Sequence, residues 1–130
     1  EIYTLSLHDA LPISQEKVDM IRKVTSHLDN VEVMSFSGLL VDFAKQQGAS
    51  VSVRGLRAVT DFEYEIQIAQ TNARLDKDLD TMFFTTSIEY SYVSSTIVKE
   101  IASYHGDVSE MVPPYVQECL EKKFKAQEAK

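Results

Sequence analysis

Two hydrophobic periods alternate along the chain from residue 15 onward, and this alternation constrains the fold more than any other feature. Apolar residues at every third or fourth position predict helices, and short runs of alternating or continuous apolar residues predict strands. The predicted strands are residues 31–36, 50–54 and 81–84, and the predicted helices are residues 15–28, 39–47, 61–75, 94–104 and a last one that opens at Pro113. Strands that alternate with helices indicate an α/β fold whose parallel sheet is flanked by helices.

The longest predicted helix, residues 61–75, carries one apolar stripe. The stripe consists of Phe62, Ile66, Ala69 and Ala73. We expect it to face the sheet, because an amphipathic helix buries its apolar side. Glu65 lies opposite the stripe by helical spacing. Glu65 could accept hydrogen bonds from ribose hydroxyl groups, but spacing alone favours a solvated acid.

Charge and cysteine content exclude several classes of function. The 130 residues, enough for one domain, carry 13 Lys and Arg against 20 Asp and Glu, a net charge of −7. This balance disfavours broad binding to nucleic acids or to anionic membranes. No apolar run approaches the ~20 residues of a membrane-spanning helix. The single Cys119 excludes an internal disulfide and a cysteine-rich zinc site, and it favours a reducing, cytoplasmic location.

The first candidate site follows the second predicted strand, because parallel α/β sheets bind ligands beyond the carboxyl ends of their strands. The segment there consists of Arg54, Gly55, Leu56 and Arg57. Gly55 allows a ligand to approach the backbone closely, and the two guanidinium groups can hold phosphate oxygens through charge-assisted hydrogen bonds. The alternative is a surface network in which both arginines pair with Asp61 and Glu63.

The second candidate site follows the third predicted strand and leads into a helix. Its residues are Tyr90, Ser91, Tyr92, Val93, Ser94, Ser95 and Thr96. Free backbone N–H groups and the positive end of the helix dipole attract anions at such a junction, and three consecutive hydroxyl groups add donors. The alternative is simple N-capping, for which one serine suffices. Two such loops at adjacent strand ends suggest a polyphosphate nucleotide, and the sequence contains no pattern for a metal cluster, a Ser–His–Asp triad or a P-loop.

Three long segments resemble one known family. They are VRGLRAVTDFEYEIQIA from Val53, EYSYVSSTIVKEIA from Glu89 and GDVSEMVPP from Gly106. Together they are similar to bacterial phosphopantetheine adenylyltransferases, and the resemblance extends over residues 14–124. It implies a Rossmann-like nucleotidyltransferase fold and Mg²⁺-assisted adenylyl transfer from ATP to 4′-phosphopantetheine, which gives dephospho-coenzyme A and pyrophosphate. It also implies a homohexamer, with coenzyme A as a candidate feedback ligand.

The resemblance assigns roles to individual residues. Leu40 and Arg54 correspond to positions that contact phosphopantetheine. The positions that correspond to ATP contacts are Gly55, Leu56, Arg57, Glu65, Tyr90, Ser91, Tyr92, Val93, Ser94, Ser95 and Thr96. Three residues depart from the family pattern. Thr96 replaces a usual serine and keeps the hydroxyl group, Ile88 stands where proline is common and is expected to loosen the loop slightly, and His105 stands where glycine is frequent.

Residues 1–13 differ in character from the rest of the chain. Their sequence, EIYTLSLHDALPI, resembles the in-frame translation of a common DNA-sequencing adapter. We therefore expect residues 1–13 to be an artefact and residues 14–130 to be the C-terminal portion of a single nucleotidyltransferase domain that lacks its first two strands. The alternative is a genuine N-terminal strand, because Ile2, Leu5 and Leu7 partly alternate with polar residues.

No catalytic residue is assigned from the sequence. The histidine of the family's T-x-G-H loop stabilises the transition state, and this sequence contains no such motif. His8 does not match, because Leu7 stands where the motif has glycine. Two other functions stay open: a related nucleotidyltransferase with another phosphorylated acceptor, against which the RGLR and DFEYE segments argue, and a nucleotide-binding fragment without catalysis.

We expect the 130-residue chain on its own to release no pyrophosphate from ATP and phosphopantetheine. Loss of even one transition-state donor can lower a rate by ~10²–10³. Replacing residues 1–13 with a family-type N-terminal segment should restore the reaction, which a pyrophosphate-release assay measures. Turnover by the unmodified chain at the rate of an intact family member would contradict this expectation.

Overall fold

The computed structural model describes residues 14–57 and 59–128. Its elements in chain order are the helices α1 (Ser14–Val24) and α2 (Leu40–Gln47), the strand β1 (Val51–Leu56), the helix α3 (Val59–Leu75), the strand β2 (Asp80–Thr85), a 3₁₀ turn (Ile88–Tyr90), and the helices α4 (Ser95–Ser103) and α5 (Pro114–Glu128). The adapter-like residues 1–13 lie outside the described residues. No helix of the described ranges is long and apolar enough to cross a membrane.

β1 and β2 form a parallel pair, and α3 connects them. The register runs from Val51 opposite Asp80 to Leu56 opposite Thr85, so both strands end at the same edge. One further hydrogen bond prolongs this ladder, from the Thr86 N–H to the Leu56 carbonyl at 3.0 Å. The β–α–β arrangement confirms the predicted α/β class.

The prediction of a strand at residues 31–36 is wrong, because this segment forms no ladder within the described part of the chain. Its contacts go elsewhere. The guanidinium group of Arg22 donates to the Val33 carbonyl at 3.0 Å, and the Phe36 ring stacks on Phe43 of α2 with centroids 4.3 Å apart. Alternating valines show only that a segment suits a half-buried pleated surface, and a strand also needs a partner for its backbone groups.

α1 ends four residues earlier than predicted, at Val24. The hydroxyl groups of Thr25 and Ser26 donate to the carbonyls of Ile21 and Lys23 at 2.7 and 2.9 Å. The Thr25 N–H still donates to the Ile21 carbonyl at 2.9 Å, but the N–H groups of Ser26 and Leu28 turn to carbonyls three residues back, so the α-helical ladder ends there.

α3 turns only part of its predicted apolar stripe inward, since Ile66 and Ala69 are half-buried. Phe62 is 46% exposed and Ala73 is also exposed, whereas Glu65 and Asn72 face inward. The prediction of Glu65 as a solvated acid is therefore wrong. A carboxylate can occupy an inward position only if it is paired, and the structure supplies the partner from β1.

Two small apolar clusters lie at different ends of the described chain. The first contains Val41, Ala44 and Leu79. In it α2 packs against Leu79, the residue that precedes β2. The second contains Val98, Ala102 and Val108, with α5 packed against it through Leu120 and Phe124. One face of the sheet stays open, since Met82 and Phe84 of β2 are 51% and 57% exposed.

α4 ends in a left-handed turn centred on His105, whose φ is +57°. The N–H groups of His105 and Gly106 donate to the carbonyls of Ala102 and Ile101 at 3.1 and 2.9 Å. These two bonds define a Schellman motif, in which glycine usually takes the left-handed position. The next position needs glycine for a different reason, because a Cβ on Gly106 would lie 2.5 Å from the Ile101 Cγ2 atom.

Gly106→Ala should therefore lower the free energy of unfolding by about 1–3 kcal/mol, the usual cost of forcing a group into occupied space. Urea denaturation measures the change. The matched control is Gly55→Ala in β1, where an added Cβ meets no atom of the described residues within 4 Å. Equal stability of the two variants would contradict the steric argument.

Candidate functional site

The candidate site lies at the shared carboxyl edge of β1 and β2. The segment after β1 enters α3, and the segment after β2 enters α4. Because the parallel register brings both strand ends to one edge, the two predicted loops are neighbours. Side chains in these loops determine what the edge can bind.

Arg54 of β1 forms a two-bonded ion pair with Glu65 of α3. Its Nε and Nη2 atoms donate to Oε2 and Oε1 of the carboxylate at 2.5 and 2.8 Å. The pair is largely buried, with side-chain exposures of 16% and 13%. The hydrogen bond to Glu65 raises the pKa of Arg54, so the guanidinium group stays charged.

Arg57 links the two loops. Its Nη1 atom donates to the Val93 carbonyl at 2.8 Å, and its Nε atom donates to Asp61 Oδ2 at 3.1 Å. The surface-network alternative therefore describes only one of the two arginines: Arg57 pairs with Asp61, whereas Arg54 pairs with Glu65 and not with Glu63. Each arginine has five N–H donors, and the contacts described above use only two of them in each case.

Gly55 and Leu56 end β1 between the two arginines. Gly55 is exposed, and no described atom lies within 4 Å of the position that a Cβ would take. The protein packing around this position therefore does not require a glycine. Open space over a backbone segment is what a ligand needs in order to approach it closely.

The loop from Tyr90 to Thr96 is held by its own hydroxyl groups at two points. The Ser91 hydroxyl donates to the Ile88 carbonyl at 2.8 Å and closes the 3₁₀ turn. Ser94 is the N-cap of α4, since its Oγ atom accepts from the Ile97 N–H at 3.2 Å. Ser95 and Thr96 are exposed in the first turn of α4, beside the positive end of the helix dipole.

A cavity of about 680 Å³ adjoins this loop. Tyr90 and Tyr92 form one wall, and the segment from Ser109 to Pro113 forms another. Sequence reasoning attached no role to that segment, although it belongs to the third family-like motif. Glu89 also lines the cavity, and its hydrogen bond to Tyr90 raises the pKa of the phenol.

Leu40 lies apart from these contacts. It is the half-buried first residue of α2, an element that contributes no group to the arginine pairs. Within residues 14–57 and 59–128, no three His, Cys, Asp or Glu side chains are grouped so as to hold a metal ion.

Comparison with known proteins identifies relatives of this chain. The model of the cytidylyltransferase-like family matches residues 9–101. The phosphopantetheine adenylyltransferase of Lachnoclostridium phytofermentans is 56% identical over 110 residues, which cover 85% of this chain and 68% of that protein.

The two neighbouring serines at the start of α4 should differ in their effect on stability. Ser94→Ala removes the N-cap acceptor of the Ile97 N–H and should lower the free energy of unfolding by about 1 kcal/mol. Ser95→Ala, the matched control, should change it by less than ~0.5 kcal/mol, as for most exposed substitutions. Thermal and urea denaturation measure both, and an equal loss in the two variants would contradict the capping assignment.

Proposed function

Because the chain belongs to the phosphopantetheine adenylyltransferases of the cytidylyltransferase-like family, we propose that the shared edge of β1 and β2 holds the two substrates of adenylyl transfer. The activity is the transfer of the adenylyl group of ATP to 4′-phosphopantetheine in the biosynthesis of coenzyme A. The products are dephospho-coenzyme A and pyrophosphate. The chain is thus a nucleotidyltransferase by family.

The reaction makes one bond and breaks one. An oxygen of the phosphopantetheine phosphate attacks the α-phosphorus of ATP, and the bond from that phosphorus to the bridging oxygen of pyrophosphate breaks. Little covalent help is needed from the protein, because alignment of the two phosphates and stabilisation of the developing negative charge supply most of the acceleration. Cationic and N–H donors near the phosphates are therefore the relevant groups.

The observation that carries the proposal is the hydrogen bond from Arg57 to the Val93 carbonyl. This 2.8 Å contact joins the loop after β1 to the loop after β2 and places a guanidinium group between them. A triphosphate is long enough to contact several donors at once. The joined loops offer it Arg57 on one side and the α4 N-terminus on the other.

The residue roles in the proposal follow from these positions and from the family resemblance. Arg54 would hold the phosphate of phosphopantetheine, and Leu40 would contact its pantetheine arm. Arg57 would bind the phosphates of ATP, and the hydroxyl groups of Ser94, Ser95 and Thr96 would hold the departing pyrophosphate. Gly55, Leu56 and the segment from Tyr90 to Val93 would line the nucleotide. Glu65, which the resemblance places with ATP, is bonded to Arg54 in the structure.

Magnesium enters the proposal as a partner of ATP. Mg²⁺ is usually held by substrate phosphates, water and one or two carboxylates, so it needs no dedicated cage of protein ligands. Bound there, it would neutralise charge on the phosphates. Among the acids at this edge, Asp61 and Glu65 are each paired with an arginine. The substrate phosphates would therefore be its principal ligands.

The proposal also includes the setting in which the enzyme works. We place it in the cytoplasm, because its single cysteine suits a reducing compartment. Family resemblance supports a homohexamer and coenzyme A as a feedback ligand. Product analysis tests the reaction itself: the chain with a family-type segment in place of residues 1–13 should form dephospho-coenzyme A and should leave other phosphorylated acceptors unchanged.

The two arginines should affect different substrates. Arg57→Ala should weaken ATP binding about tenfold, because it removes a charge-assisted phosphate contact. It should lower the free energy of unfolding by about 1–2 kcal/mol, because it removes both the exposed ion pair with Asp61 and the hydrogen bond to the Val93 carbonyl. Arg54→Ala should instead weaken phosphopantetheine binding. Titration calorimetry with each substrate separately measures these effects.

Arg74→Ala is the matched control, because it removes an exposed arginine from the far end of α3. It should leave both affinities unchanged. An Arg57→Ala protein that binds ATP as tightly as the parent chain would refute the nucleotide assignment.

A further inference from the structure

A second cavity, called here the α1–α5 cavity, is lined by side chains of α1 and α5 and by one lysine of α4. Its volume is about 890 Å³, and small-molecule sites in proteins usually measure ~300–1,000 Å³. None of the residues that have a role in the proposed function lines it. A ligand bound there would therefore be distinct from the two substrates.

The floor of the α1–α5 cavity is apolar. It consists of Met20 from α1 and of Leu120 and Phe124 from α5, and all three side chains are half-buried. Leu120 and Phe124 also pack against the second apolar cluster, so the floor is continuous with a packed part of the protein. An apolar surface of this kind binds aliphatic groups, because their contact removes both surfaces from water.

Charged side chains surround this floor, and lysines outnumber acids by four to two. Both acids already have a partner. Glu16 accepts from the Lys123 Nζ atom at 2.5 Å, and Asp19 accepts from the Gln15 side chain at 2.8 Å. The remaining lysines form no ion pair within the described part of the chain: Lys17, Lys99 and Lys122. The cavity thus has a cationic rim in a protein whose net charge is −7.

The open face of the sheet provides a comparison. It is also apolar, with Met82 and Phe84 more than half exposed. Strand alternation places Asp80 on the same face as these two residues, and the β1 residues of that face carry no charge. This face would repel an anion, whereas the rim of the α1–α5 cavity attracts one.

We propose that the α1–α5 cavity binds a single-chain anionic amphiphile, with the aliphatic chain on the apolar floor and a carboxylate or phosphate head among the lysines. The inference goes beyond the proposed function and does not depend on it. The occupant is a single molecule and not a bilayer, because the overall negative charge disfavours an anionic membrane surface.

Calorimetry on the 130-residue chain with dodecanoate, below its micelle concentration, tests the proposal. We expect one bound molecule per chain and about tenfold weaker binding of decanoate, because each methylene that is lost weakens binding about threefold to fourfold. Dodecyltrimethylammonium, which has the same chain and the opposite charge, should bind at least about tenfold more weakly. Equal affinity for the two head groups, or for the two chain lengths, would overturn the proposal.

The source of the ligand follows from a second head group. Tighter binding of dodecanoate than of dodecyl phosphate would identify a fatty acid, and the reverse order would identify a phosphate-headed lipid. Failure of both to bind would overturn the proposal. Binding to phosphatidylglycerol vesicles without binding to either single-chain molecule would identify a membrane surface, which also overturns it.

Substitution of the rim lysines tests the charge argument. Lys99→Gln together with Lys122→Gln should weaken dodecanoate binding about tenfold, because two partners of the head group are lost. The matched control combines Lys77→Gln with Lys125→Gln, which removes the same charge from exposed lysines that do not line the cavity. Equal affinities of the two double variants would contradict the proposal.

Methionine methyl NMR locates the ligand without any substitution that the fold must tolerate. The chain has four methionines, of which Met20 lines the α1–α5 cavity and Met82 lies on the open sheet face. Dodecanoate should shift the Met20 signal and give nuclear Overhauser effects from its aliphatic chain to that methyl group, with Met82 unchanged. Effects on Met82 with an unchanged Met20 signal would place the ligand on the open sheet face and overturn the proposal.

Discussion

The parallel ladder between β1 and β2 is the constraint on which the candidate site depends. Parallel pairing with Leu56 opposite Thr85 brings the carboxyl ends of both strands to one edge. A parallel pair needs a crossover, and α3 provides it on the side that carries Arg54. Sheet, crossover helix and the two loops are therefore one unit. Arg57 can reach the Val93 carbonyl only because the register keeps the loops side by side.

Ion pairing explains how α3 can present Glu65 to the sheet among half-buried apolar residues. An unpaired carboxylate at the Glu65 position would lose hydration without compensation, and so would an unpaired guanidinium group at Arg54. Each satisfies the other with two hydrogen bonds. Replacing such a pair with apolar residues often costs no stability in other proteins. Its presence at the candidate site is therefore weak evidence for a stabilising role.

The sequence predicted the parts of the fold that depend on local periodicity. The two paired strands, the starts of all five helices to within two residues, and the glycine that ends α2 follow from spacing and turn chemistry. Residues 31–36 were misassigned because a strand is defined by its partner, which periodicity does not reveal. The exposure of Phe62 and the inward turn of Glu65 were missed because the pairing acid and base are 11 positions apart and on different elements. Sequence periodicity does not indicate the hydrogen bond from Arg57 to Val93 either, because its acceptor is a backbone carbonyl 36 positions away.

The division of the apolar interior into two small clusters has a consequence for local unfolding. One cluster holds α2 against the start of β2, and the other holds the Val93 segment, α4 and α5. Cooperative opening units in proteins tend to follow such contiguous packed groups. If the second group opens while the first stays folded, Val93 separates from Arg57 without breakage of β1. Amide exchange in the α4 segment would then report the fraction of molecules whose two loops are apart, a quantity distinct from the global unfolding equilibrium.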